Sequence, residues 1–173
     1  MSPQSTPRGW VLGRVGGADV VVQPASALLG LLIAGSWYPL AADALTGLSA
    51  PAVAGAVAAT VVGAAVSILA HELAHGAVGA ALGRRPVLYE LHLWGGRTTF
   101  GPATAWRPWK DALTSLAGPA ANLALWAAGR AALEAALPPL APAFALWALT
   151  WVNLALAVFN ALPALPLDGG HAL

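Results

Sequence analysis

The segment with the clearest chemical meaning is HELAH, at residues 71–75. Residues four apart lie on one face of an α-helix, so His71 and His75 can direct both imidazoles toward a single metal ion. Glu72 is adjacent, where its carboxylate can reach a water bound to that metal. The alternative is a pair of core histidines satisfied by ordinary hydrogen bonds. Because the pattern falls inside a long apolar run, where ionisable groups are disfavoured without a function, we predict a metal site.

A catalytic zinc requires three protein ligands and one position for water. The chain has no cysteine, so the third ligand must be a histidine or a carboxylate. Asp168 is the favoured candidate because it lies in a stretch broken by proline and glycine, at a membrane depth similar to that of the histidines. His171 is the alternative. The remaining candidates lie on a predicted hairpin or at helix ends: Glu90, His92, Asp111 and Glu134.

Composition indicates the environment of this site. Of 173 residues, 58% are hydrophobic and only 9% are charged, with a mean hydropathy of +0.71. Soluble domains carry about 25% charged residues, so we predict a single domain over residues 1–173, embedded in a lipid bilayer. The net charge of +1 is too small for a basic nucleic-acid footprint, which excludes nucleic acid as an expected partner.

The predicted fold class is a membrane all-α protein with about four transmembrane helices and a small β-hairpin between the second and third. Runs of apolar residues near the length of a bilayer span indicate the helices. Alternating side chains followed by Gly-Gly indicate the hairpin. A further short strand is possible at residues 18–23. The predicted helices are 24–42, 51–82, 112–137 and 143–162, and the hairpin is 86–100.

The first hairpin strand presents Val87, Tyr89 and Leu91 on one side. A hairpin beside a membrane domain has an edge that must be paired or covered, and an extended peptide can add to such an edge. We therefore predict these three residues as part of a substrate-binding strand. The alternative is a hairpin that only caps the helices.

The distribution of basic residues predicts the orientation. Arg8 and Arg14 precede the first span, and five more basic residues lie between the second and third spans. The loops at 43–50 and 138–142 have none. By the positive-inside rule, the N-terminus, the hairpin and the active-site side face the cytoplasm of a multi-pass protein of the cell membrane.

Three motifs occur in a fixed order from about residue 51 to the end of the chain: HELAH in a membrane helix, AGPAAN opening a later one, and N-x-x-P-x-x-P-L-D-G-G. Together they resemble the site-2 protease family of intramembrane zinc metalloproteases. The resemblance implies one Zn²⁺ per chain, held by His71, His75 and Asp168, with Glu72 as the general base.

Two asparagines also match polar positions of that family. The resemblance implies that Asn122 assists catalysis by contacting the substrate carbonyl or oxyanion, and that Asn160 contributes to substrate binding. The alternative for Asn122 is a hydrogen bond between membrane helices.

The same resemblance implies regulated intramembrane proteolysis: cleavage in or near the transmembrane segment of a single-pass protein, such as a membrane-tethered anti-sigma factor. It points to the compact bacterial and archaeal branch, in which a pair of CBS domains often follows the membrane domain. Members continue into further helices, so we expect the chain to be truncated at its C-terminus. Two rival functions remain: a metal-binding carrier or sensor, and a catalytically silent relative that binds membrane substrates.

Overall fold

The computed structural model describes residues 9–103, 106–136 and 138–162, together with Asp168. This part of the chain is mostly helical, with one small sheet, as the composition and motifs predict. The elements in chain order are β1 (Trp10–Val15), β2 (Ala18–Val22), α1 (Ser26–Ala44), α2 (Ala50–Ala81), β3 (Pro86–His92), β4 (Gly95–Phe100), α3 (Pro108–Ala136) and α4 (Leu140–Ala161).

Among the described residues, three helices are long and apolar enough to cross a membrane: α1, α2 and α4. The fourth helix, α3, has 29 residues but is less apolar, because its interior includes Thr114, Pro119 and Asn122. It begins at Pro108, four residues earlier than predicted, since proline is well suited to the first turn of a helix. Its predicted end at Leu137 lies outside the described residues.

The sheet has four strands in the order β1-β2-β3-β4, so the predicted hairpin is only half of it. The possible strand at residues 18–23 is present as β2, which pairs in parallel with β3, while β1 was not predicted. Gly16 and Gly17 form the turn between β1 and β2 with positive φ angles, a conformation that favours glycine. β3 therefore has hydrogen-bonded neighbours on both sides.

Helix α2 contacts α1, α3, α4, β3 and β4, and thus lies at the centre of the fold. Glycines allow two of these neighbours to come close. Gly63 faces Leu149 of α4, and Gly76 faces the Tyr89 ring of β3; an added Cβ at either position would collide with that side chain. This packing holds the helix that carries HELAH against both the bundle and the sheet.

The first half of α2 belongs to an apolar region that we call the aromatic cluster, formed with α1 and α4. Its rings are those of Trp37, Phe144 and Trp147, with centroids 5.8 to 6.3 Å apart. Val57 is the last residue of α2 in this cluster. At a rise of 1.5 Å per residue, His71 lies about 20 Å farther along the helix, so the aromatic cluster and the HELAH residues occupy different ends of α2.

Candidate metal centre

The two histidines of α2 lie side by side on a buried face. His71 and His75 are 5% and 6% exposed, with ring centroids 4.6 Å apart. Asp168 Oδ2 lies 2.9 Å from His71 Nε2 and 3.3 Å from His75 Nε2. The three possible ligand atoms all lie within 4.8 Å of one another. The tertiary structure therefore brings together the three residues predicted as metal ligands.

This donor set fits a zinc ion. Two imidazole nitrogens and one carboxylate oxygen suit Zn²⁺, and three protein ligands leave a fourth position for water. His75 Nε2 is buried and has no hydrogen-bond partner among the described residues. A buried polar atom is rarely left in this state. Because a metal ion would satisfy the nitrogen, the observation favours ligation over the alternative of ordinary core histidines.

Asp168 supplies the only carboxylate of the cluster. Burial acts to raise the pKa of this carboxyl, but the interactions with His71 and His75 outweigh it and lower the pKa to about 2. The group is therefore ionised at neutral pH, which is the form that binds a metal.

Glu72 is 6% exposed and is held by the sheet. The Thr98 hydroxyl of β4 lies 2.6 Å from Glu72 Oε2, to which it can donate, and 3.0 Å from the Glu72 backbone carbonyl. Gly96 lies against the same carboxylate, where an added Cβ would collide with it. With Oε2 accepting a hydrogen bond, Oε1 is the oxygen of Glu72 that remains to handle a proton.

Helix α3 holds the Nδ1 atoms of both histidines. His75 Nδ1 donates to the Thr114 backbone carbonyl at 2.7 Å, and His71 Nδ1 lies 2.5 Å from Asn122 Oδ1. Gly118 lies between them on the same face, and an added Cβ there would collide with both Nε2 atoms. Partners of this kind fix the tautomer of a ligating histidine and direct its other nitrogen toward the metal.

Asn122 takes part in hydrogen bonds between helices, which is the alternative predicted for it. The residue is 0% exposed, with Oδ1 directed at His71 and Nδ2 donating to Asn153 Oδ1 at 2.8 Å. Both polar groups of the Asn122 side chain are therefore hydrogen-bonded to other side chains. Asn122 is not among the described residues that line the cavity discussed below. This geometry gives Asn122 a supporting contact with His71, and its role at a substrate carbonyl or oxyanion stays a prediction.

The predicted substrate strand also needs correction. Because β3 is hydrogen-bonded to β2 and β4, the prediction that a peptide adds to β3 is wrong. Tyr89 and Leu91 are buried, and Val87 is about half exposed. Among the described strands, the open edges belong to β1 and β4. Alternation in the sequence identified a strand but could not show which strands would pair with it.

A cavity of about 760 Å³ opens over the three predicted ligands and Glu72. One wall is the stretch from Gly95 to Thr98 in β4, and Asn160 of α4 forms part of another. The structure therefore places Asn160 where a substrate could contact it, and its role in substrate binding stays a prediction.

The other candidates for the third ligand lie apart from the cluster. His92 lines the cavity without joining the ligands, and His171 lies outside the described residues. The three carboxylates among these candidates each have a side-chain partner: Glu90 with Arg97, Asp111 with Trp106, and Glu134 with Arg130. Asp168 is therefore the carboxylate that meets the histidines.

Three supporting residues were not identified from the sequence: Thr98, Thr114 and Asn153. An asparagine within an apolar helix is itself a signal, since such a residue needs a partner. Thr98 and the Thr114 carbonyl carry no comparable signal, because their roles arise only from contacts between distant elements.

Comparisons with known proteins agree with the geometry. No protein-family model matches the chain. Two curated relatives match its sequence: "Putative zinc metalloprotease sll0528" of Synechocystis, 38% identical over 108 residues, and "Putative zinc metalloprotease Rip3" of Mycobacterium tuberculosis, 40% identical over 113 residues. The matches cover 62% and 61% of this chain. They cover 28% and 27% of the relatives, so the chain spans about a quarter of their length.

A solved structure matches the fold. The site-2 protease from Methanocaldococcus jannaschii superposes with a TM-score of 0.64, covering 94% of this chain and 68% of that one at 22% identity. Fold and site together define a helical membrane protein with a centre of the metalloprotease type. The predicted resemblance is confirmed at two levels: the relatives similar in sequence are named zinc metalloproteases, and the structure similar in fold is a site-2 protease. Membership of a branch carrying CBS domains stays a prediction.

Proposed function

We propose that the protein is a zinc-dependent intramembrane endopeptidase. The observation that carries the proposal is the convergence of His71, His75, Asp168 and Glu72 on one cavity, with the histidines on a helix long and apolar enough to span a membrane. A carrier or sensor would use the same ligands but would not require a carboxylate held beside them.

The residues at the cavity have different roles in the proposed reaction. One zinc ion per chain, held by the two histidines and Asp168, would supply Lewis acidity toward the scissile carbonyl and acidify a water. Glu72 accepts the proton of the attacking water at Oε1 and then delivers it to the leaving amine. Thr98 keeps the carboxylate in place throughout by its hydrogen bond to Oε2.

The substrate class that we propose is a single-pass membrane protein, such as a membrane-tethered anti-sigma factor. A peptide bond within a helix is already hydrogen-bonded, so the substrate must unwind before water can reach it. Among the described strands, β4 pairs only with β3, and its other edge is open. An unwound segment added to that edge would lie against the cavity wall beside Glu72.

The location that we propose is the cell membrane, with several spans and with the N-terminus and the cavity on the cytoplasmic side. The basic residues support this orientation. Among the described ones, Arg84, Arg97 and Lys110 lie in or near the sheet and the start of α3, on the side of the fold where the cavity opens. Water would then reach Glu72 from the cytoplasm.

The test is cleavage of a panel of single-pass substrates by the detergent-purified chain loaded with zinc. Glu72→Gln is expected to lower cleavage by about 10²- to 10⁴-fold while zinc content stays at that of the wild type. The matched control is Glu134→Gln, because Glu134 is exposed and, in the part of the chain that the structure describes, bonds only to Arg130. A wild type that binds zinc and substrate without cleaving would indicate the silent relative, and cleavage unchanged in Glu72→Gln would refute the protease.

A further inference from the structure

A line of buried polar groups leads away from the metal centre through the helix bundle. It starts where His71 Nδ1 meets Asn122 Oδ1, and continues where Asn122 Nδ2 donates to Asn153 Oδ1. Asn153 Nδ2 donates to Ser67 Oγ at 3.0 Å and to the Leu149 backbone carbonyl at 2.9 Å. Asn122 is 0% exposed and Asn153 is 4% exposed. The line therefore links α2, α3 and α4 through buried side chains.

The Leu149 backbone carbonyl, at the far end of this line, determines which groups donate and which accept along it. A backbone carbonyl can only accept, so Asn153 must turn its NH₂ group toward Leu149 and its oxygen toward Asn122. Asn122 must then donate its own NH₂ to Asn153 and present its oxygen to His71. An acceptor that faces Nδ1 requires a proton on Nδ1, so in the neutral imidazole, the form that binds a metal, the lone pair of His71 is on Nε2, which lies 2.9 Å from Asp168 Oδ2.

We propose that Asn153 is a positioning residue that sets the tautomer and ring orientation of the metal ligand His71, acting through Asn122. The inference rests on the proposed zinc site. Both ligating histidines direct Nδ1 at an oxygen acceptor, but the kind of acceptor differs. His75 donates directly to the Thr114 backbone carbonyl, whereas His71 depends on two side chains before the line ends at a backbone carbonyl.

The competing explanation is that Asn153 only joins helices. Hydrogen bonds between membrane helices stabilise their association, and under this explanation Asn153 would have no further role. The two explanations differ in the folded protein. A residue that only joins helices changes stability and leaves the ligand geometry alone, whereas a positioning residue changes the affinity and the geometry of the metal centre.

The experiment measures zinc Kd by chelator competition, and the visible spectrum of the Co²⁺-substituted protein, on the full chain in detergent. Asn153→Leu keeps the side-chain volume but removes the oxygen that faces Asn122 and the NH₂ group that faces Leu149. Zinc Kd is therefore expected to rise about tenfold, with an altered Co²⁺ spectrum. Asn153→Asp still offers an oxygen to Asn122 and is expected to recover part of the affinity.

The matched control is Thr150→Val. Thr150 is a buried residue on the same helix, and among the described residues its hydroxyl bonds only to the Trp147 carbonyl. Zinc Kd and the Co²⁺ spectrum are expected to stay at the wild-type values.

Wild-type zinc Kd and Co²⁺ spectrum in a folded Asn153→Leu protein would overturn the inference. If that variant fails to fold, Asn153→Ser decides, because its side chain is too short to reach Asn122 and the same tenfold loss is expected. Failure of the proposed zinc site has a different outcome. There the wild type binds no zinc, or His71→Ala binds it as tightly, and both proposals fall together.

Discussion

The two ends of helix α2 are held by different forces. Its first half packs into the aromatic cluster around Trp37 and Phe144, where contacts are apolar and tolerate any side chain of similar volume and shape. Its second half packs on the sheet through Leu69 and Leu73 and is held in addition by hydrogen bonds from α3 and β4, where donors and acceptors must match atom by atom. We therefore expect substitutions at the first end to change stability, and isosteric substitutions at the second end to change function.

The largest expected effect comes from Gly118→Ala, at the hydrogen-bonded end. One added methyl group would overlap both Nε2 atoms, so the ligands must separate and zinc Kd is expected to rise by up to about 100-fold. The measurement is chelator competition on the purified protein. Gly55→Ala is the control, since an added Cβ there meets nothing within 4 Å. Equal zinc affinity in both variants would remove Gly118 from the centre.

Phe144→Ala tests the aromatic cluster, which packs against the first half of α2. Loss of a buried ring leaves a cavity, so we expect the free energy of unfolding to fall by about 3 kcal/mol. Zinc Kd of the folded protein is expected to stay unchanged, because the cluster is remote from the ligands. Denaturant unfolding in detergent measures the first quantity and chelator competition the second. A parallel loss of zinc affinity would show that the two ends of α2 are coupled.

Thr98→Val tests whether the support of Glu72 can be removed without a change in zinc binding. Loss of the hydrogen bond to Glu72 is expected to lower kcat about tenfold, by the usual size of such supporting contacts, with KM and zinc Kd unchanged. Thr99→Val is the matched control, because successive residues of a strand face opposite sides. A lower zinc content in Thr98→Val would contradict this division of roles.

The smallest effect is expected from Glu134→Gln, which lies in neither region. The ion pair between Arg130 and Glu134 spans 3.3 Å on an exposed turn of α3. Such surface pairs contribute at most about 1 kcal/mol, so the midpoint of thermal unfolding is expected to shift by no more than a few degrees. A larger shift would reveal a contact that the described structure does not contain.

Helices were more predictable than the sheet. Each apolar run marked a helix because a bilayer requires a long uninterrupted segment, and this requirement is local in the chain. Strand β2 was foreseen only as a possibility and β1 not at all, since strand partners are set by pairing between distant segments. The error on β3 had the same origin, because alternation marks a strand without showing whether its edges are free.

The sequence by itself determined the spacing of His71 and His75, the adjacent Glu72 and the membrane setting, because helical periodicity and hydropathy act over neighbouring residues. Only the tertiary structure decided that Asp168 meets the histidines, that Asn122 supports a ligand, and that the open edge beside the cavity belongs to β4. Those outcomes depend on hydrogen bonds and contacts between segments far apart in the chain, whose directions no local pattern specifies.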